Sequence, residues 1–184
     1  MLEVGCGSGA LARALSATGY DVLAIDPVAP EGPIFRQIRL EQLEDGEFDA
    51  VVASRSLHHV DDLGAALDRI AELAPLLVLD EFGWDLLDED TADWYERQRR
   101  VLLAAGRSPA GPPVAEWKEH HAGLHGYLAM RAELGRRFAE RSSSREPYLY
   151  VYLGGETTEP LERALVSART IEALGWRAVY ERRR

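Results

Sequence analysis

The hydrophobic positions change period repeatedly along the chain, and each change falls at a glycine or a proline. Residues 1–4 read as a short strand, 9–19 as a helix ending at Gly19, and the apolar run DVLAI (21–25) as a buried strand, together a β-α-β unit. IFRQI (34–38) and DAVVAS (49–54) add two strands, and a helix over 61–74, which Asp61 or Asp62 can cap, leads to a fifth, LLVLDE (76–81). Such alternation predicts a parallel, helix-covered sheet. From 82 to about 134 the pattern is helical, interrupted at GRSPAGPPV (106–114), and predicts an insertion able to cover the carboxyl edge of the sheet. In FAERSSSREPYLYVYL (138–153) two strand-like runs flank a tight connection, with Tyr148, Tyr150 and Tyr152 on one face and Leu149, Val151 and Leu153 on the other. That predicts an antiparallel hairpin. A helix over about 159–173 and the strand-like WRAVYE (176–181) finish the chain. The expected architecture is α/β: a doubly wound sheet, mostly parallel with a C-terminal antiparallel hairpin, in a single domain 1–184 with a helical insertion over about 84–135.

Composition narrows the function. With 184 residues, 46% of them hydrophobic, the chain can bury a sizeable core but holds too little for two independent enzyme domains. A net charge of −10, with Lys118 the only lysine, argues against a nucleic-acid partner. The single cysteine, Cys6, excludes an intrachain disulfide. No apolar run reaches the length of a membrane span and no charged-then-apolar leader is present, so a cytoplasmic protein with no membrane partner is expected.

The chemistry concentrates at the front. GCGSGA satisfies the dinucleotide pattern through Gly5, Gly7 and Ala10, and Asp26 lies near the spacing of a ribose-binding carboxylate. Glycines permit a tight turn and a close backbone approach, and a carboxylate after the second strand can accept hydrogen bonds from both ribose hydroxyls. By themselves these features do not separate cofactors. Glu3, just ahead of the loop, is a poor neighbour for a pyrophosphate and a suitable one for a cationic ligand. S-adenosylmethionine carries adenosine, an ammonium and a sulfonium, and no phosphate.

At this point LEVGCGSG (2–9) resembles the first motif of the class I S-adenosylmethionine-dependent methyltransferases, which are Rossmann-like. FDAVVASRSLHHVDD (48–62) is similar to the family's fourth-strand motif and LLVLDEF (76–82) to its fifth strand, so the resemblance covers about residues 1–82. It implies a cofactor site made of Glu3, Gly5, Gly7, Gly9 and Asp26, with Leu40 and Glu41 near adenine and Ser54 along the methionine portion. The Asp often found in the family after the third strand is missing from Arg39-Leu40-Glu41-Gln42. The family's N-terminal helix is also missing ahead of MLEV, which makes a start at an internal codon the favoured expectation and a weakened cofactor affinity its consequence.

Methyl transfer from a sulfonium is an in-line displacement, so positioning and exclusion of water supply most of the catalysis, and a base is needed only where the acceptor keeps its proton. Of the groups near the ends of the fourth and fifth strands, His58 and His59 have the most suitable ordinary pKa, and either Asp80 or Glu81, the latter taken as the candidate, should face the pocket. The bland alternatives are histidines packed under the following helix and carboxylates that cap or form salt bridges. The resemblance implies that Arg55, His58 and His59 point toward the open site, and Trp84, Trp94, Tyr95, His121 and His125 are the insertion's candidate acceptor-lining residues, with the break at 108–113 expected to be a mobile joint making few buried contacts. His121 and His125 lack a clear third ligand, so no metal is expected. Ser54-Arg55-Ser56-Leu57 stands where many amino-methylating nucleic-acid and protein enzymes carry Asn-Pro-Pro-aromatic. The expected function is therefore methyl transfer to a small organic acceptor, at oxygen or carbon in preference to nitrogen. The rivals are a non-catalytic methyltransferase-like module and an NAD-dependent oxidoreductase, which would lack a catalytic lysine near a strand end.

Overall fold

The computed structural model describes residues 1–44 and 46–183. The chain forms two compact units, one of Met1–Glu81, Leu128–Ser143 and Arg177–Arg184, the other of Phe82–Tyr127 and Ser144–Trp176. Seven strands, β1 (Leu2–Val4), β2 (Leu23–Ile25), β3 (Phe35–Arg36), β4 (Ala50–Ser54), β5 (Leu76–Phe82), β6 (Phe138–Glu146) and β7 (Gly175–Arg182), make one sheet in the order β3-β2-β1-β4-β5-β7-β6. The first five are parallel, with Glu3 opposite Ala24 on one side and Val52 on the other. The last two run antiparallel to them or to each other, as the sheet is mixed only at its C-terminal strands.

In the first unit β1 and β4 are buried on both faces, which is why β4 reads as a continuous apolar run rather than as alternation, while β1 buries Glu3 between Leu2 and Val4. Helix α1 (Ala10–Ala17) packs through Ala12 with Cys6, Val22, Ala24 and Ala29. Helix α2 (Leu63–Leu73) buries Leu63, Ala66, Leu67, Ile70 and Leu73, the 3-4 spacing of one face, and Asp62 caps it by accepting from the Ala65 N–H at 2.9 Å. Third-strand pairing is shorter than IFRQI predicts and is confined to Phe35–Arg36.

The second unit contains α3 (Glu89–Ala104) and the short α4 (Trp117–His120). Helix α5 (Tyr127–Arg137) follows; from Leu128 on it belongs to the first unit, where Arg137 bonds to Asp68 of α2 at 2.9 Å through Nη2. The second unit's core is Phe82, Tyr95, Trp117, Leu149, Leu153 and Leu174, with Tyr148 stacked on Phe82 at 4.2 Å.

The predicted hairpin over 138–153 is half right. Its first run is β6, but the second is helical: α6 (Tyr150–Leu153) precedes α7 (Glu159–Ser167), and the antiparallel neighbour of β6 is β7. Leu149 and Leu153 are four apart, so the same letters that alternate as a strand also make one face of a helical turn. Glu162 of α7, fully buried, decides between them by accepting the backbone N–H groups of Tyr148, Leu149 and Tyr150 at 2.6–2.9 Å. A strand there would leave that carboxylate without donors. The break at 106–114 also departs from expectation, because it is held by buried bonds. Tyr95 donates to the Pro112 carbonyl at 2.9 Å, Arg99 donates to that of Gly111, and the Ala110 N–H reaches the Tyr152 carbonyl at 2.9 Å.

Candidate functional site

β1 lies between β2 and β4, so the chain leaves the two neighbours of the central strand in opposite directions and opens a crevice at their carboxyl ends. The segment after β1 turns there with left-handed backbone at Gly5 (φ 75°) and Gly7 (φ 49°). Close approach demands the first: a Cβ on Gly5 would stand 2.3 Å from the Ser56 Cβ. At Gly7 a Cβ would meet nothing within 4 Å. The N–H groups of Gly5 and Cys6 donate to the Ile25 carbonyl at 2.9 and 3.2 Å, and Gly9 donates to that of Cys6 at 2.8 Å. Asp26 completes the loop, accepting from Gly7 N–H on Oδ2 and Val28 N–H on Oδ1, both at 2.9 Å.

A cleft of about 360 Å³ follows, within the range of small-molecule sites. Its wall comes from Val4, Gly5 and Gly7 after β1, from Ile25, Asp26 and Pro27 after β2, from Ile38 to Glu41 after β3, and from Arg55, Ser56 and His59 to Asp61 after β4. Of the residues expected to hold a cofactor, Gly5, Gly7, Asp26, Leu40 and Glu41 line this cleft. Gly9 lies behind it as the N-cap of α1. Ser54 ends β4, and the wall is continued by its neighbours Arg55 and Ser56. Ser56, which sequence reasoning missed, donates its hydroxyl to the Val4 carbonyl at 2.8 Å and so ties β4's exit to β1's. The only sequence signal for it was the demand for glycine at position 5. Arg55 holds left-handed backbone (φ 53°), uncommon for a residue with a side chain, and its N–H donates to the Asp80 carbonyl at 2.7 Å.

Glu3 is not part of the wall. It is 3% exposed, one carboxylate oxygen lacks a partner, and burial pushes its pKa up to about 7, with a hydrogen bond from Ala12 opposing and the Asp26 charge adding. Glu81, rather than Asp80, faces inward: it accepts from Ser56 and Leu57 N–H, while Asp80 pairs with Arg177 at 2.9 Å. His58 is buried with Nδ1 2.6 Å from Glu81 Oε2, and His59 is the histidine on the cleft. The His59 pKa is lowered by burial first and by His58 second, with Glu81 opposing.

The insertion's candidates divide. Tyr95 (0% exposed) and His121 (1%) are buried in the second unit, Tyr95 within its apolar core, and neither is among the residues that line the pocket beside Trp84. Aromatic residues at helical spacing found each other: the His121 ring lies 4.3 Å from that of Trp117, and its Nδ1 is 2.8 Å from the Trp117 carbonyl. Trp94 and His125 are half-buried. Trp84, also half-buried, donates to the Leu124 carbonyl at 3.2 Å and lines a pocket of about 430 Å³ with Leu87, Val114 and Trp117. Among the described residues no group of three or more His, Cys, Asp or Glu is placed to hold a metal ion, and no helix is long and apolar enough to cross a membrane.

Comparison with known proteins places this architecture. The sequence model of a family described as a methyltransferase domain matches residues 1–140. The ubiquinone biosynthesis O-methyltransferase of Rhodopseudomonas palustris (strain TIE-1) is 33% identical over 87 residues, 40% of this chain and 34% of that protein. The chain thus spans about a third of the length of that relative. Among solved structures, an S-adenosylmethionine-dependent methyltransferase from Mesorhizobium loti superposes with a TM-score of 0.60 at 16% identity, covering 99% of this chain and 90% of that one. The magnesium protoporphyrin IX methyltransferase of Synechocystis PCC 6803 with bound S-adenosylhomocysteine gives 0.57 at 18% identity, covering 99% and 73%. At such identities the superpositions establish the fold, while the family match rests on sequence over most of the chain: it belongs to the methyltransferase domain family, of the class I, S-adenosylmethionine-dependent type.

Proposed function

We propose that the cleft binds S-adenosylmethionine and that the chain transfers its methyl group to a small organic acceptor in the cytoplasm, at oxygen or carbon in preference to nitrogen. The observation that carries this reading is the state of the glycine loop. The N–H groups of Gly5, Cys6, Gly7 and Gly9 already donate within the protein, so the loop has few donors to offer a pyrophosphate. Asp26 keeps a second lone pair on each oxygen, which suits a ribose diol, and it stands at the exit of β2 beside Leu40 and Glu41. These residues fit an adenosine carrying a cationic tail better than a dinucleotide.

S-adenosylmethionine supplies an electrophilic methyl group on a sulfonium. The rest falls to the chain: Asp26 holds the sugar, Leu40 and Glu41 flank the base, and Arg55 and His59 face the open side where an acceptor enters. His59 is the proton acceptor for a hydroxyl that must lose its proton as it attacks. The name of the Rhodopseudomonas relative, an O-methyltransferase, supports oxygen as the accepting atom.

Titration calorimetry tests the cofactor directly. S-adenosylhomocysteine should bind with a clear preference over NAD, and Asp26→Ala should weaken it at least about tenfold, because each charge-assisted bond lost contributes about 1.5–3 kcal/mol. Tight NAD binding without S-adenosylhomocysteine binding would overturn the proposal.

A further inference from the structure

Arg55 leaves β4 in a conformation that its side chain makes costly. Its φ of 53° is left-handed backbone, which glycine adopts freely and a long side chain does not. Hydrogen bonds lock the segment in place: the Arg55 N–H donates to the Asp80 carbonyl at 2.7 Å, and the next two N–H groups, of Ser56 and Leu57, donate to Glu81 Oε1 at 2.9 and 2.7 Å. Among the described residues only Arg169 shares this backbone without being a glycine, and it lies just past the end of α7, where left-handed backbone ordinarily closes a helix. Arg55 instead follows a strand, on the wall of the cleft. Glycine would meet the same backbone requirement at lower cost, so the reason for an arginine lies in its guanidinium.

That side chain is exposed and, among the described residues, makes no hydrogen bond, ion pair or ring contact. The cleft's other arginine, Arg39, is paired with Asp61 at 3.6 Å, and Asp26 is engaged by the Gly7 and Val28 N–H groups. The same wall presents the apolar side chains of Val4, Ile25, Ile38 and Val60. A guanidinium beside apolar surface matches a small organic acid, with two N–H donors for the two carboxylate oxygens and apolar wall for the carbon skeleton. We propose that Arg55 is the specificity-determining residue of the cleft, a carboxylate anchor that selects organic acids among the molecules that enter. This rests on the methyl-transfer reading above, in which two molecules bring a carboxylate to this wall: an acidic acceptor such as a hydroxybenzoate, and the amino-acid end of the cofactor. The guanidinium binds and orients, and no proton or bond changes hands at it.

Calorimetry on the full chain and on its Arg55→Gly variant tests the anchor and separates the two sources. S-adenosylhomocysteine and 5′-methylthioadenosine share the nucleoside and the thioether, but only the first carries an amino-acid end. If the anchored carboxylate is the cofactor's, the variant should lose at least about tenfold in affinity for S-adenosylhomocysteine and keep its affinity for 5′-methylthioadenosine. If it is the acceptor's, the variant should bind both nucleosides as the wild type does. In that case 4-hydroxybenzoate, titrated into protein saturated with S-adenosylhomocysteine, should bind the wild type at least about tenfold more tightly than the variant. Equal affinities of the two proteins for all three probes overturn the proposal. So does an equal loss for both nucleosides, the mark of a damaged cleft, or an absence of 4-hydroxybenzoate binding combined with unchanged S-adenosylhomocysteine affinity. Arg55→Gly should unfold at the wild-type urea concentration or above it, because glycine relieves the left-handed backbone. A variant too unstable to titrate would make Arg55 a structural residue and overturn the proposal as well. A wild type that binds neither nucleoside fails the methyl-transfer reading instead, and 4-hydroxybenzoate titrated into the free proteins then still reads Arg55.

Discussion

At the scale of single residues, buried carboxylates organise this protein, and they differ in how they are satisfied. Glu81 and Glu162 each accept from main-chain N–H groups and fix a segment of irregular backbone. Glu3 is the exception, with one oxygen unpartnered behind the glycine loop. Its folded pKa of about 7 lies above its ordinary 4.5, so the folded protein takes up a proton between those values. Below about pH 4.5 the carboxyl is neutral in both states and costs nothing by ionising; as pH rises through 7 the folded state is left with a buried charge, and stability falls. Glu3→Gln should therefore melt above the wild type at pH 8, and the difference should shrink to near zero at pH 4. Thermal unfolding at the two pH values checks this, and a difference independent of pH would assign the effect to something other than ionisation.

At the scale of elements, the crossing of the loop after β1 with the turn after β4 is the tightest joint in the site. Gly5 meets it with left-handed backbone and with no side chain to strike Ser56. Gly5→Ala should cost about 2–4 kcal/mol, the sum of a conformation unfavourable to L-residues and an overpacked contact. Ser56→Gly in the same chain should return the overpacking part and leave the conformational part, as urea unfolding of the three variants would show. Much of this level is legible in the letters. The glycines, Asp26 after the second strand, Asp62 ahead of a 3-4 apolar face and the apolar runs AVVA of β4 and LLVL of β5 each state a local requirement that nothing distant overrides. What could not be read depended on distant partners. Residues 148–153 satisfy two periods equally, and Glu162 settles the choice. Ser56 is one polar residue among several until β1 is laid beside β4. Tyr95 and His121 carry the residue types of a binding pocket, and their burial follows from aromatic neighbours such as Trp117 that come together only in the fold.

At the scale of the whole molecule, each unit is assembled from separated stretches of chain. The first needs Arg177 onward, because β7 lies between β5 and β6 and not at the sheet's rim. Its end is tied in on both sides, with the Arg182 N–H donating to the Pro75 carbonyl at 2.8 Å and the Arg183 N–H to that of Arg137 at 2.9 Å. A protein cut before Arg177 should lose cooperative unfolding altogether instead of showing the small loss of a trimmed terminus, since two strands forfeit their neighbour at once. Calorimetric or denaturant melting would decide, and a sharp, near-native transition in the shortened chain would refute the placement of β7 as an interior strand.

The same placement governs what happens while the protein is being made. On the ribosome β6 emerges well before β7, and until β7 arrives β5 and β6 each present an open row of backbone donors and acceptors to any passing chain. The two waiting strands are protected differently. LLVLDEF is apolar, and only the two carboxylates near its end interrupt it, whereas FAERSSSRE is almost entirely serine and charge and is exposed over most of its length. The low hydrophobicity of β6 thus acts as a safeguard during synthesis, letting an unpaired strand wait for its partner without recruiting a neighbour from another nascent chain.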